Sequence, residues 1–185
     1  SGEVVYDGTD AQDIFSGEYG RLTVTGDGTK TLNGDITINT NGNISSSFVN
    51  NGAITSDGVL IFDGKTSGNG TVNSTAETIY NQAAEHVYSG EYGKLTLSGV
   101  AKSIAGEVTA NLLNNNARKL TVKTSGVLKT GKLADDVNSL YNILGTWNFT
   151  GDAEILGSVN NSGVISTDSD LTFTGMTTGS GRIEI

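Results

Sequence analysis

Residues 14–24 read Ile-Phe-Ser-Gly-Glu-Tyr-Gly-Arg-Leu-Thr-Val, and residues 87–97 read Val-Tyr-Ser-Gly-Glu-Tyr-Gly-Lys-Leu-Thr-Leu. The residue numbers of these two stretches differ by an offset of 73. A second match relates residues 54–72 to residues 165–183 at an offset of 111, which exceeds the first by 38. The chain is therefore predicted to be one domain of two related units, 1–73 and 74–185, with about 38 residues inserted in the second.

The insertion distinguishes between β architectures. A sandwich has a closed core, so 38 added residues would have to leave it as a loop or a subdomain. In a solenoid each turn contacts only its neighbours, so whole turns of roughly 19 residues can be added. The sequence therefore predicts an all-β fold, a single-stranded parallel β-helix of roughly eight to ten turns. It is expected to be right-handed, because parallel crossovers nearly always are.

Short apolar segments with alternating residues, such as Leu22/Val24 and Ile36/Ile38, are typical of half-buried strands. The predicted core is a stack of apolar side chains that includes Ile14, Leu22, Ile38, Ile61, Leu95, Leu120, Ile165 and Phe173.

The composition supports this architecture. The 185 residues include 26 glycines, no cysteine and no proline. Without cysteine a disulfide scaffold is excluded. Nearly every backbone N–H of a β-solenoid donates to a neighbouring strand, and proline has no N–H to donate, so its absence has a physical reason.

Asn-Gly pairs begin at residues 33, 41, 51 and 69. One interpretation makes them two-residue turns of antiparallel hairpins. In a solenoid they would instead occupy corners, where glycine adopts positive φ at low cost and asparagines of successive turns stack.

One segment departs from the strand pattern. Five residues have helical spacing: Leu133, Val137, Leu140, Tyr141 and Leu144. Asp135-Asp136 marks a possible helix start among them. A short helix near residues 134–144 is predicted, and the alternative is a pair of strands within residues 139–149. Trp147, just beyond, is predicted to be a packing anchor.

The charge pattern limits the possible partners. The net charge is −9 and no basic cluster occurs, which argues against binding nucleic acid or an anionic membrane. The longest aliphatic or aromatic run, residues 59–62, is too short to cross a membrane. His86 is the only histidine, so multi-histidine metal sites are excluded. No metal or cofactor is expected, and His86 is predicted to be an exposed strand residue.

The recurring pairs Glu18-Tyr19 and Glu91-Tyr92 are the candidate ligand-binding residues. In a functional interpretation each tyrosine ring stacks on a sugar beside a carboxylate acceptor. In the structural alternative, Ser-Gly-Glu-Tyr-Gly forms a corner and its tyrosine covers the neighbouring turn. Structural repeats preserve structural residues, so the second interpretation carries more weight.

Asp168 and Asp170 alternate and would face the same side of a strand, the arrangement that a polysaccharide-cleaving enzyme requires. The first unit lacks a matching pair, and no catalytic motif is present. The chain is therefore expected not to be an enzyme.

Residues 6–38, the partial second copy at 80–97 and the Gly-Thr-Val and Gly-Ser-Gly-Arg-Ile endings of the two units resemble repeats of bacterial surface proteins. The resemblance is to autotransporter passengers and filamentous-haemagglutinin-type adhesins. It implies a right-handed β-helix exported to the cell surface, either extracellular or associated with the outer membrane through other regions. The implied function is a non-enzymatic stalk or adhesin, and the alternative is a carbohydrate-binding or polysaccharide-degrading β-helix.

The expected partners are a host-cell or matrix glycan or protein, or another copy joined end to end. The strand-like ending at residues 182–185 predicts a fragment of a longer protein or such end-to-end association.

Overall fold

The computed structural model describes residues 2–185, which form 26 β-strands and contain no helix. In chain order the strands are β1 (Glu3–Tyr6), β2 (Gln12–Ile14), β3 (Gly17–Tyr19), β4 (Arg21–Val24), β5 (Lys30–Leu32), β6 (Ile36–Ile38), β7 (Gly42–Ile44), β8 (Phe48–Asn50), β9 (Ala53–Ser56), β10 (Leu60–Phe62), β11 (Thr66–Ser67), β12 (Thr71–Tyr80), β13 (His86–Val87), β14 (Gly90–Gly99), β15 (Lys102–Ile104), β16 (Glu107–Ala117), β17 (Leu120–Val122), β18 (Val127–Asp135), β19 (Leu140–Ile143), β20 (Thr146–Phe149), β21 (Ala153–Ile155), β22 (Ser158–Asn161), β23 (Val164–Thr167), β24 (Leu171–Phe173), β25 (Thr177–Thr178) and β26 (Arg182–Glu184).

The strands line three faces of a parallel β-solenoid. Face 1 contains β1, β4, β7, β10, the second halves of β12, β14, β16 and β18, then β21 and β24. Face 2 contains β2, β5, β8, β11, β13, β15, β17, β19, β22 and β25. Face 3 contains β3, β6, β9, the first halves of β12, β14, β16 and β18, then β20, β23 and β26.

Each turn runs through face 1, face 2 and face 3 in that order, and about ten turns stack. Register partners in neighbouring turns most often differ by 18 in residue number, as Leu60 and Thr78 do. The predicted all-β solenoid and its number of turns are confirmed. The interpretation of the Asn-Gly pairs as turns of antiparallel hairpins is wrong, because every strand pair is parallel. At about 4.8 Å per turn the rod is roughly 48 Å long. The right-handed sense stays a prediction.

The sequence repeat is a repeat of whole turns. Ile14 in turn 1 and Val87 in turn 5 both lie on face 2, so the smaller of the two repeat offsets spans four turns. Ile54 in turn 3 and Ile165 in turn 9 both lie on face 3, so the larger offset spans six turns. The difference between the two offsets therefore corresponds to two added turns.

The core fills the space between the three faces with alternate side chains of each strand. Six of the predicted core residues are buried: Ile14, Leu22, Ile38, Leu95, Leu120 and Ile165. Phe173 is partly buried. Ile61 is only half-buried, because it faces outward between the inward Leu60 and Phe62 of face 1.

The helix predicted near residues 134–144 is wrong. That segment contains the end of β18, a turn at Asp136–Ser139 and the strand β19, as the strand-pair alternative expected. Val137 is 66% exposed, whereas Tyr141 is fully buried, so the residues with helical spacing do not share one face. Trp147 is buried and its Nε1 donates to Thr130 Oγ1 at 3.0 Å, which confirms its packing role.

Asparagines stack along the axis as predicted, since Asn51 Nδ2 donates to Asn33 Oδ1 and Asn160 Nδ2 donates to Asn142 Oδ1. The predicted positive φ at the Asn-Gly glycines is wrong, because none of these four has it. Glycine is needed there for close approach instead: a Cβ on Gly52 would lie 2.0 Å from the Gly34 carbonyl oxygen.

Candidate functional site: a polar groove on face 3

One outward column of polar side chains runs along face 3 through all ten turns. Its members are register partners in successive turns, and all are exposed or half-buried. In order they are Glu18, Thr37, Thr55, Asn73, Glu91, Thr109, Lys129, Asn148, Ser166 and Glu184.

The surface of this column is concave near its middle. Two depressions of about 420 and 440 Å³ both include Glu91 and Thr109 in their linings. Asn73 and Glu107 line the first, and Asn111 helps to line the second. We call these five residues the face-3 groove.

Glycine keeps the floor of the groove low. Gly90 has φ of +140°, and a Cβ there would lie 2.0 Å from the Val72 carbonyl oxygen. Gly93 is equally confined, since its Cβ would lie 2.1 Å from the Thr75 carbonyl oxygen. Of the two residues between these glycines, Tyr92 is buried and Glu91 alone stands above the backbone.

The Glu91 carboxylate is available to a ligand. Its backbone N–H donates to Asn73 Oδ1 at 3.0 Å, which fixes the strand beside it. Among the described residues its carboxylate has no hydrogen-bond or ion-pair partner. Glu107, in contrast, is engaged by Lys129 Nζ at 2.5 Å. The groove thus offers an open carboxylate acceptor beside amide and hydroxyl groups that can both donate and accept.

The tyrosines of the recurring Glu-Tyr pairs are buried: Tyr19 is 7% exposed and Tyr92 is 2% exposed. Neither ring leaves a face on which a sugar could stack. The sugar-stacking role predicted for them therefore disagrees with their burial, and the structural alternative agrees with it. Of the four candidate residues, only Glu18 and Glu91 reach the surface.

Each buried tyrosine belongs to a hydrogen-bonded pair. In turn 5, the Tyr92 hydroxyl donates to the Tyr88 carbonyl at 2.7 Å, and the Tyr88 N–H donates to the Tyr80 hydroxyl at 3.3 Å. The Tyr80 and Tyr92 hydroxyls are 3.0 Å apart. This circuit satisfies both hydroxyls and the backbone of a corner.

The same circuit exists in turn 1. The Tyr6 and Tyr19 hydroxyls are 3.2 Å apart, the Phe15 N–H donates to Tyr6, and Tyr19 donates to the Phe15 carbonyl. The repeat thus preserves a tyrosine pair that holds a corner, and it carries a glutamate to the surface beside it.

The buried pair predicts a loss of stability at alkaline pH. Burial raises the pKa of Tyr80 and Tyr92 well above 10, whereas in the unfolded chain both ionise near 10. The unfolding free energy should therefore fall above pH 10, by up to about 1.4 kcal/mol per pH unit for each tyrosine. Urea unfolding between pH 9 and 11 should show a shallower fall in the Tyr80→Phe/Tyr92→Phe variant. Parallel curves for variant and wild type would contradict this.

Asp168 and Asp170 do not form the predicted strand pair. They are exposed residues of the corner between β23 and β24, where their side chains need not share a face. The Asp170 N–H donates to Asp152 Oδ1 at 3.1 Å, an ordinary corner bond. Within residues 2–185 no group of three or more acidic or histidine side chains is placed to hold a metal ion.

His86 lies in strand β13, as predicted, but it is half-buried rather than exposed. Its ring meets the Tyr88 ring edge-on at a centroid distance of 5.2 Å. Burial, and secondarily the charge of Lys123, lowers the pKa of His86 below its usual value.

Four residues of the face-3 groove, Asn73, Glu107, Thr109 and Asn111, were not identified from the sequence. A signal for two of them was present, since Asn73 lies one turn before Glu91 and Thr109 lies one turn after it. Outward residues that lie one turn before or after Glu91 belong to the same column as Glu91.

No family model matches the chain, and the searches of curated proteins and of solved structures find no similar protein. The part of the chain that the structure describes contains no helix long and apolar enough for a membrane span.

Proposed function

We propose that this chain is a non-enzymatic module of a bacterial surface protein, a β-helical stalk or passenger segment that mediates attachment through its lateral surface. The observation that carries the proposal is the face-3 groove, an open polar surface on the side of a rod. The sequence resemblance to autotransporter passengers and filamentous-haemagglutinin-type adhesins supports it. The proposed location is extracellular, at the bacterial cell surface.

The proposed partner is a host-cell or matrix glycan without negative charge. The groove displays carboxylate, amide and hydroxyl groups, which match the hydroxyls of a sugar in hydrogen-bonding capacity. A polyanion would be repelled by Glu91 and by the net charge of −9. Because no aromatic ring is exposed among the groove residues, recognition would depend on hydrogen bonds.

Replacing Glu91 by alanine is expected to weaken glycan binding by roughly 10- to 100-fold, the effect of losing a hydrogen bond to a charged acceptor. Binding would be measured on an array of neutral host and matrix glycans, then by titration with the best ligand. Because Glu91 is exposed, its replacement should change the free energy of unfolding by less than about 0.5 kcal/mol.

Glu18→Ala is the matched control, since Glu18 occupies the same position four turns earlier. Its register partner is Thr37, and it lacks the amide neighbour that Asn73 gives Glu91. The control should bind as the wild type does. Equal losses in both variants, or no glycan bound by the wild type, would contradict the assignment of the groove.

A further inference from the structure

Face 2 is interrupted between turn 4 and turn 5. Its first four strands, β2, β5, β8 and β11, form one sheet. Its other six strands, β13, β15, β17, β19, β22 and β25, form another. β11 and β13 lie next to each other, but no backbone ladder joins them. Elsewhere along face 2 each strand pairs with the next.

Two side-chain hydroxyls replace the missing ladder. Thr66 Oγ1 donates to the His86 carbonyl at 2.7 Å and accepts from the His86 N–H at 3.1 Å. From turn 5, the Tyr88 hydroxyl reaches back to turn 4, where it donates to the Ser67 carbonyl at 2.8 Å and accepts from the Ser67 N–H at 3.2 Å. The polar groups at the break are therefore satisfied by the buried side chains of Thr66 and Tyr88 rather than by backbone.

A cleft of about 380 Å³ extends along face 2 from Thr29 in turn 2 to this level. Thr66 and Ser67 line it from turn 4, and Ala83 and Glu85 line it from the corner of turn 5. The same corner contains Gln82, with φ of 34°, the only described residue other than glycine in the left-handed region.

Faces 1 and 3 remain continuous across the same level. On face 1, β10 pairs with β12, and on face 3, β12 pairs with β14. In the core, the Phe62 and Tyr80 rings stack across the level at a centroid distance of 4.8 Å. Where the two continuous faces meet, the β12–β14 register shifts between Ser74 and Glu77.

We propose that this level is a hinge, at which turns 1–4 and turns 5–10 bend relative to each other by opening and closing face 2. The continuous strands of faces 1 and 3 act as the hinge line, and the Thr66 and Tyr88 hydroxyls act as the latch. The hinge coincides with the boundary between the two sequence units at residues 73 and 74. Bending changes the width of the face-2 cleft without unfolding either block.

Spin-label distances test the hinge directly, because the chain has no cysteine and introduced cysteines are the only labelling sites. One pair, Thr31→Cys with Asn142→Cys, spans turns 2 to 8 on face 2. The matched pair, Thr37→Cys with Asn148→Cys, spans the same turns on face 3. Both pairs should be roughly 29 Å apart along the axis, but the face-2 distribution should be about twice as broad.

Two valine substitutions test the latch in the labelled face-2 pair. Thr66→Val removes the bridging hydroxyl and should broaden the distribution further. Thr78→Val is the control, since Thr78 is also buried but its hydroxyl has no partner in the described structure. Equal widths on faces 2 and 3, or equal effects of the two valines, would overturn the hinge. Circular dichroism would verify that every labelled variant retains the β-solenoid.

Discussion

Replacing Thr121 by proline should lower the free energy of unfolding by about 3 kcal/mol or more. Thr121 lies at the centre of β17 and pairs with Ser103 on one side and Asn142 on the other. Its side chain faces outward, so the loss would come from the backbone N–H and from the ring's steric demand. Urea unfolding monitored by circular dichroism would measure it.

Two controls isolate the backbone effect. Thr121→Ala removes the same outward side chain but keeps the N–H, and should cost less than about 1 kcal/mol. Val137→Pro places proline in the turn whose Ser139 N–H donates to the Asp136 carbonyl at 2.8 Å. Proline is favoured at that second turn position, so Val137→Pro should leave stability within about 1 kcal/mol of wild type.

The comparison tests why the chain lacks proline. If Thr121→Pro were as stable as Thr121→Ala, the parallel ladder would not explain the composition. If Val137→Pro were as damaging as Thr121→Pro, proline would be excluded from corners as well as from strands.

The repeat made the solenoid predictable because its two offsets correspond to whole turns. A helix at residues 134–144 was predicted because spacing alone does not show where a strand ends. Leu133 belongs to β18 on face 1 and Tyr141 to β19 on face 2, and the turn between them places Val137 in solvent. Side chains from two different faces thus imitated the period of one helix.

The sequence shows that Glu18 and Glu91 recur, but it does not show which residue of each Glu-Tyr pair is buried and which is exposed. Strand alternation sends Tyr92 inward and Glu91 outward, and that parity depends on where β14 begins. The break in face 2 was equally hidden, since it depends on the Tyr88 hydroxyl reaching Ser67, which belongs to the preceding turn. Such contacts follow from the stacking of turns rather than from local sequence.

Two buried lysines were also not anticipated, and they should respond oppositely to the same substitution. Lys30 and Lys102 begin the face-2 strands β5 and β15, and their exposures are 0% and 1%. Lys30 Nζ donates to the carbonyls of Gly8, Asp10 and Gly28 at 2.7–3.1 Å. Lys102 Nζ has one long contact, 3.4 Å to the Asn81 carbonyl.

Lys30→Met should therefore lower the free energy of unfolding by about 2–4 kcal/mol, since three carbonyls lose a charged donor. Lys102→Met should leave the protein as stable as wild type at pH 7, or more stable by on the order of 1 kcal/mol, because it removes a buried charge that is poorly satisfied. Urea unfolding of both variants at pH 7 would measure the two effects.

The pH dependence separates the effect of charge from that of packing at Lys102. Burial lowers the pKa of Lys102 from 10.5 to about 8, although the charge of Glu85 opposes the shift. The unfolded chain therefore holds this proton more tightly, so the contribution of Lys102 to stability should rise as pH increases from about 8 towards 10.5. Lys102→Met should abolish that rise, which is clearest between pH 8 and 10, before the tyrosines ionise. A large loss of stability at pH 7 in the variant, or no rise above pH 8 in the wild type, would show that the Lys102 ammonium is better solvated than its single long contact indicates. A rise that is unchanged in Lys102→Met would show that another group causes it.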